Sequence, residues 1–130
     1  MVTVVTRSDS LSAMATKEEI NQLVETYVAA VGRQDLEGTL AVFAEDARQE
    51  DPIGTPPNVG IDAVRGFFEK SFGVAFSTEL TGPVLVTGDY AAFHFTITIP
   101  LGDQTMTVRV IDQIRVNADG KIAELRAVVD

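Results

Sequence analysis

The chain contains no cysteine, which rules out disulfides, thiolate nucleophiles and cysteine-held metals and leaves the redox compartment unspecified. It has a single histidine, His94, too few for a histidine-based metal site. Positive charge is scarce: 10 Lys and Arg stand against 19 Asp and Glu, for a net charge of −9. Phosphate backbones are bound by Lys/Arg-rich patches and the chain has none, so no nucleic acid partner is expected and an uncharged or cationic ligand is the easier fit. No apolar run reaches membrane length, and Met1 to Ala15 lacks the unbroken apolar stretch of a signal peptide. No membrane insertion is expected, and the cytoplasm is the default location.

What is present is ordinary globular composition, 45% hydrophobic and 22% charged over 130 residues. That length predicts one domain, large enough to bury roughly two-thirds of its unfolded surface. Residues 1–15 have no period and are expected as a flexible leader, with Met14 an alternative start; 16–130 form the domain.

Thr16 followed by Glu19 reads as a capping box, and Ile20, Leu23, Val24, Tyr27, Val28 and Val31 then recur at helical steps up to Gly32. Asp35 is placed to cap a second short helix bearing Leu36, Leu40 and Phe43. A strand over Ala47 to Asp51 runs into Asp51-Pro52-Ile53-Gly54-Thr55-Pro56-Pro57, an irregular loop. Ile61 to Phe72 has helical spacing through Val64, Phe67, Phe68 and Phe72. The period then changes to two. Phe76 to Val86, Tyr90 to Leu101, Gln104 to Val116 and Lys121 to Val129 read as strands, with turns at Gly88-Asp89, Gly102-Asp103 and Asn117 to Gly120. Helices first and an antiparallel meander second predict an α+β fold in which helices cover one sheet face and leave an apolar pocket.

Asp112 stands out. Met106, Val108, Val110, Asp112, Ile114 and Val116 share one strand face, and five of the six are apolar. A carboxyl buried among them either pairs with a cation, Arg126 or Arg109 being candidates, or stays protonated near neutrality and donates a hydrogen bond. Two more polar groups stand in apolar company. Tyr27 on the first helix has a hydroxyl that needs a partner, ordinarily a backbone carbonyl, and Asp51, which precedes a proline, suits a loop cap. His94 lies on the more polar face of its strand and reads as structural or solvated.

Together the three carry a resemblance. Tyr27 in Glu-Thr-Tyr-Val-Ala-Ala-Val, Asp51 in Gln-Glu-Asp-Pro-Ile-Gly and Asp112 in Val-Ile-Asp-Gln-Ile-Arg-Val resemble the bacterial Δ5-3-ketosteroid isomerases of the nuclear transport factor two-like (SnoaL-like) superfamily. Glu79-Leu80-Thr81-Gly82-Pro83-Val84 and Ala92-Phe93-His94-Phe95 are similar as well, so the likeness runs from about Glu18 to Ala127.

The resemblance implies a cone-shaped barrel, with N-terminal helices packed into a strongly curved, mostly antiparallel sheet, a homodimer and a steroid as small-molecule substrate. It implies that Asp51 moves a proton from C4 to C6 of a 3-oxo-Δ5-steroid while Tyr27 and protonated Asp112 donate hydrogen bonds to the dienolate oxygen. Ketosteroid isomerases are the type case of a carboxylic acid held neutral by an apolar site. No metal or cofactor is implied. Phe68, Phe95, Val108, Leu125, Ala127 and Val129 would contact the substrate. Phe68 stands where several relatives carry a tyrosine, and Val129 where they carry an aromatic. Two other classes fit the same fold: an epoxide hydrolase or polyketide-cyclase-like enzyme, and a non-catalytic binder of steroid-like ligands.

Overall fold

The computed structural model describes residues 14–130; the expected leader lies almost wholly outside them. Helix α1, Lys17–Gly32, starts at the anticipated capping box: Glu19 N–H donates to Thr16 Oγ1 at 3.1 Å, and Thr16 N–H to Glu19 Oε1 at 2.8 Å. Its stripe of Ile20, Val24, Tyr27, Val28 and Val31 is buried. Asp35 caps α2, Leu36–Leu40, by accepting from Gly38 N–H at 3.0 Å. That helix is shorter than the spacing predicts. Phe43 opens strand β1, Phe43–Glu50, instead of ending the helix, because Val42, Phe43 and Ala44 are buried in succession, a run that suits a strand enclosed on both faces.

Strand β2, Asn58–Val59, follows the proline-rich loop and pairs antiparallel with β1. It was not legible, since its residues have no apolar alternation. Helix α3 spans Ile61–Ser71. The stretch expected as one strand from Phe76 to Val86 is two: β3, Ser77–Leu80, and β4, Leu85–Thr87. Gly82 and Pro83 fall in the gap, where proline supplies no ladder donor. Strands β5, Tyr90–Leu101, β6, Gln104–Val116, and β7, Ile122–Val129, follow as predicted.

The sheet is seven-stranded in the order β2-β1-β7-β6-β5-β3, with β4 also on β5. Most neighbours are antiparallel, but β1 and β7 run parallel, Gln49 opposite Leu125 and Glu50 opposite Arg126. The meander is thus closed by a strand that precedes it by a whole helix and more. Side chains of α1 and α3 fill the inner face, where Phe93, Phe95, Val110, Ile114 and Leu125 are buried with them. Gly32 ends α1 against β3: a Cβ there would collide with Thr78 Oγ1, which donates to Val28 O at 2.7 Å. Among the described residues no helix is long and apolar enough to cross a membrane.

Candidate active site

Between α1, α3 and the inner sheet face lies a cavity of about 360 Å³. Tyr27 and Val31 of α1, Phe67, Phe68 and Phe72 of α3, and Phe95, Ile97, Val110 and Val129 of the sheet form much of its wall, with Asp51 and Pro52 on one side. It falls within the size range of small-molecule sites and is mostly apolar.

Helical period turns Tyr27 inward, and three rings then hold it edge-on: Phe43, Phe68 and Phe93, with centroids 5.8, 6.4 and 6.2 Å away. Asp51 follows the last residue of β1 and is half-buried. Its loop is tied down, since Ile53 N–H donates to Ala127 O at 2.8 Å and Gly54 N–H to Glu50 Oε2 at 3.0 Å. Asp112 sits in mid-strand between Phe93 of β5 and Ala127 of β7, 1% exposed.

The pairing of Asp112 with an arginine, open from the sequence, is not what forms. Arg126 Nε donates to Glu50 Oε1 at 2.9 Å, and Arg109 pairs with Asp130. Among the described residues neither Asp112 oxygen has a hydrogen-bond partner in good geometry. The Tyr27 hydroxyl is near enough to act on the carboxyl as a weak hydrogen-bond donor, outside the geometry of a well-formed bond.

Burial, and next the negative charge of Asp51, push the Asp112 carboxyl far above the usual range, with the Tyr27 hydroxyl acting the other way. Burial likewise raises Tyr27 well above an ordinary phenol, helped by Asp112 and Asp51. Asp51 is pushed up to about 6 by burial. The arrangement therefore sets together three groups whose surroundings all favour the neutral form, with Asp51 raised to about 6 and Asp112 and Tyr27 both raised well above their ordinary values. This is an acid–base set whose members are separated by environment, able to take a proton from a bound molecule and to donate hydrogen bonds to an oxygen that gains charge.

Of the expected contact residues, Phe68, Phe95 and Val129 reach the cavity wall. Val108, Leu125 and Ala127 do not. Leu125 and Ala127 are fully buried on β7, where packing covers them. Val108 lies toward the β5–β6 hairpin, whose end reaches into solvent with Met106 at 45% exposure. Asp112 too stands behind the wall rather than on it. Val31, Phe67, Phe72 and Ile97 also line the cavity; the helical stripes and the alternation of β5 turn them inward. Among the described residues no three His, Asp or Glu side chains gather as a metal site.

A helix-lined cone holding buried acids defines a class that comparison with known proteins also gives: residues 24–125 match the SnoaL-like domain, and the chain belongs to that family. It is similar to a Steroid Delta-isomerase of Nocardioides simplex, 37% identical over 109 residues, which cover 84% of this chain and 88% of the relative.

Proposed function

We propose that this protein is a steroid Δ-isomerase converting 3-oxo-Δ5-steroids into conjugated 3-oxo-Δ4-steroids. The observation that carries the reading is Asp51, pushed up to about 6, on an apolar wall that also bears Tyr27. The named relative supports the same reaction class.

In this reading the Asp51 carboxylate removes a proton from C4. The C–H electron pair moves into conjugation with the C3 carbonyl and the Δ5 bond, giving a dienolate with its charge on the C3 oxygen. The Tyr27 hydroxyl donates to that oxygen. Protonated Asp112, whose buried carboxyl oxygens have no well-formed hydrogen bond among the described residues, gains an acceptor if the carbonyl reaches past Tyr27. Protonated Asp51 then returns the proton to C6, leaving the double bond at C4–C5. A donor aimed at developing charge contributes about 3 kcal/mol, and a placed base roughly a hundred- to ten-thousand-fold.

Conjugation of the new double bond with the ketone creates an ultraviolet chromophore, so absorbance on incubation with a 3-oxo-Δ5-steroid tests the proposal. We expect the enone band to grow, with kcat/KM falling below pH ~6 as Asp51 takes up a proton. Asp51→Asn should lose roughly a hundred- to ten-thousand-fold in kcat while still binding steroid; parental turnover in that variant would remove the base assignment.

Epoxide opening by an Asp-Arg-Asp set is the weaker reading, because Arg109 is on the sheet face opposite Asp112 and occupied by Asp130. A non-catalytic binder would have no use for an acid that is neither exposed nor salt-bridged.

The homodimer is proposed on the outer sheet face. Leu85, Tyr90, Ile111 and Val128 are exposed there and line a hollow of about 340 Å³ together with Ile53 and Arg126. An apolar patch of this kind on a sheet suits a self-complementary interface.

A further inference from the structure

We propose, resting on the isomerase reading with the 3-oxo group at Tyr27, that Ser71 sets specificity at the opposite end of the cavity by accepting a hydrogen bond from a hydroxyl on the far ring of the steroid.

Among the described residues, three of the side chains that line the cavity carry a polar atom: Tyr27, Asp51 and Ser71. The first two are taken up by the reaction. Ser71 remains, half-buried, on a wall otherwise made of aliphatic and aromatic groups, where a polar atom is costly unless water or a ligand meets it.

Its place follows from the elements around it. Ser71 is the last residue of α3, four after Phe67 and three after Phe68, so the helical period sets all three on the cavity side. Phe68 abuts Tyr27, with ring centroids 6.4 Å apart. Ser71 lies one turn further along. Its neighbour Phe72 packs on Phe76 at 6.1 Å, and Phe76 leads into β3, which joins β5 with Ser77 opposite Thr98. Ser71 therefore belongs to the Ile99 end of the cavity, whereas the acid–base set belongs to the Phe95 end. Four residues of strand separate those ends, roughly 13 Å, an elongated space suited to a rigid skeleton of fused rings. Val74, 57% exposed, marks the Ser71 end as the open one.

A hydroxyl has one hydrogen to donate and two lone pairs with which to accept. The hydrogen of Ser71 is spent inside the helix, since Oγ donates to Phe67 O at 2.9 Å, a habit of helical serines. What it offers a ligand is acceptance. The complementary group is a donor, so an alcohol fits where a ketone does not. No Lys or Arg side chain is on the cavity wall among the described residues, which leaves a carboxylate or sulfate at that end without a counter-charge.

The test uses two 3-oxo-Δ5-steroids that differ only in carrying a hydroxyl or a ketone on the far ring. Isomerisation of each is followed by ultraviolet absorbance with the parent, Ser71→Ala and Ser71→Thr. The readout is the change in the alcohol-to-ketone ratio of kcat/KM on substitution, in which the different hydration of the two steroids cancels. Ser71→Ala should lower that ratio about fivefold, the net strength of one hydrogen bond, through KM rather than kcat because the contact is remote from the reacting atoms. Ser71→Thr, which keeps the accepting oxygen, should restore it. Loosened packing would raise KM for both steroids and leave the ratio alone. A ratio unchanged in Ser71→Ala would overturn the role of Ser71 while turnover still upheld the isomerase, and a ratio that rose would mean that Ser71 donates to the ketone, overturning its role as acceptor. Absence of the enone band with both steroids would instead overturn the isomerase reading and this inference with it.

Discussion

Two buried acids are an expense at the residue scale. A group whose folded pKa lies above its unfolded value binds its proton more tightly in the native state, so native stability is greatest below the unfolded pKa and declines as pH rises toward the folded one. For Asp51 the window runs from 3.8 to about 6, which corresponds to roughly 3 kcal/mol withheld above it. Asp51→Asn carries no such penalty. Urea unfolding at pH 8 should find the variant more stable than the parent by up to about 3 kcal/mol, with the gain nearly gone at pH 4. A variant no more stable than the parent at pH 8 would mean that Asp51 is not held out of water as strongly as its burial indicates. Asp112, deeper and raised further, contributes in the same direction. Its inward place was legible in the sequence, because a period of two leaves a carboxyl among inward neighbours no other face. Its lack of an arginine was not: whether Arg109 and Arg126 are already occupied depends on Glu50 and Asp130, far away in sequence.

Helical elements were the most legible. A capping box with apolar spacing placed α1, and apolar spacing alone placed α3, because both signals act within one or two turns. Errors gathered where a partner distant in the chain decides the outcome. Residues of β2 form a strand only because the backbone of β1 lies beside them. Apolar side chains on β7 were expected at the cavity, yet Leu125 and Ala127 are covered, and no local pattern reports what packs over a strand. The close approach of α1 to β3 is another such contact. Gly32→Ala would force a methyl into Thr78 Oγ1 and disturb its bond to Val28 O. We expect a loss of about 1–3 kcal/mol in thermal or denaturant unfolding. Gly66, on the exposed side of α3 with open space around it, serves as the control: Gly66→Ala should be neutral or stabilising by up to about 1 kcal/mol.

Considered as a whole, the described residues place apolar concavities on opposite faces of one sheet, the inner proposed for steroid and the outer for a second copy. Ile111→Asp should leave the fold intact and shift sedimentation equilibrium toward monomer, since a charge desolvated in an apolar interface is costly; a parent that is monomeric at high concentration would remove the dimer proposal. Both concavities share Asp51's loop, with Pro52 on the inner wall and Ile53 on the outer.

The parallel pairing of β1 with β7 also sets an order of events during synthesis. Residues 17–116 can emerge with their helices and hairpins formed from local contacts, but β1 has no partner for Gln49 and Glu50 on that side until Ile122–Val129 has been made. Closing so long a separation is slow compared with local steps. The loop bearing Asp51 is therefore among the last parts of the nascent chain to be anchored, and a ribosome stalled before β7 would hold that loop without the bond from Ile53 N–H to Ala127 O.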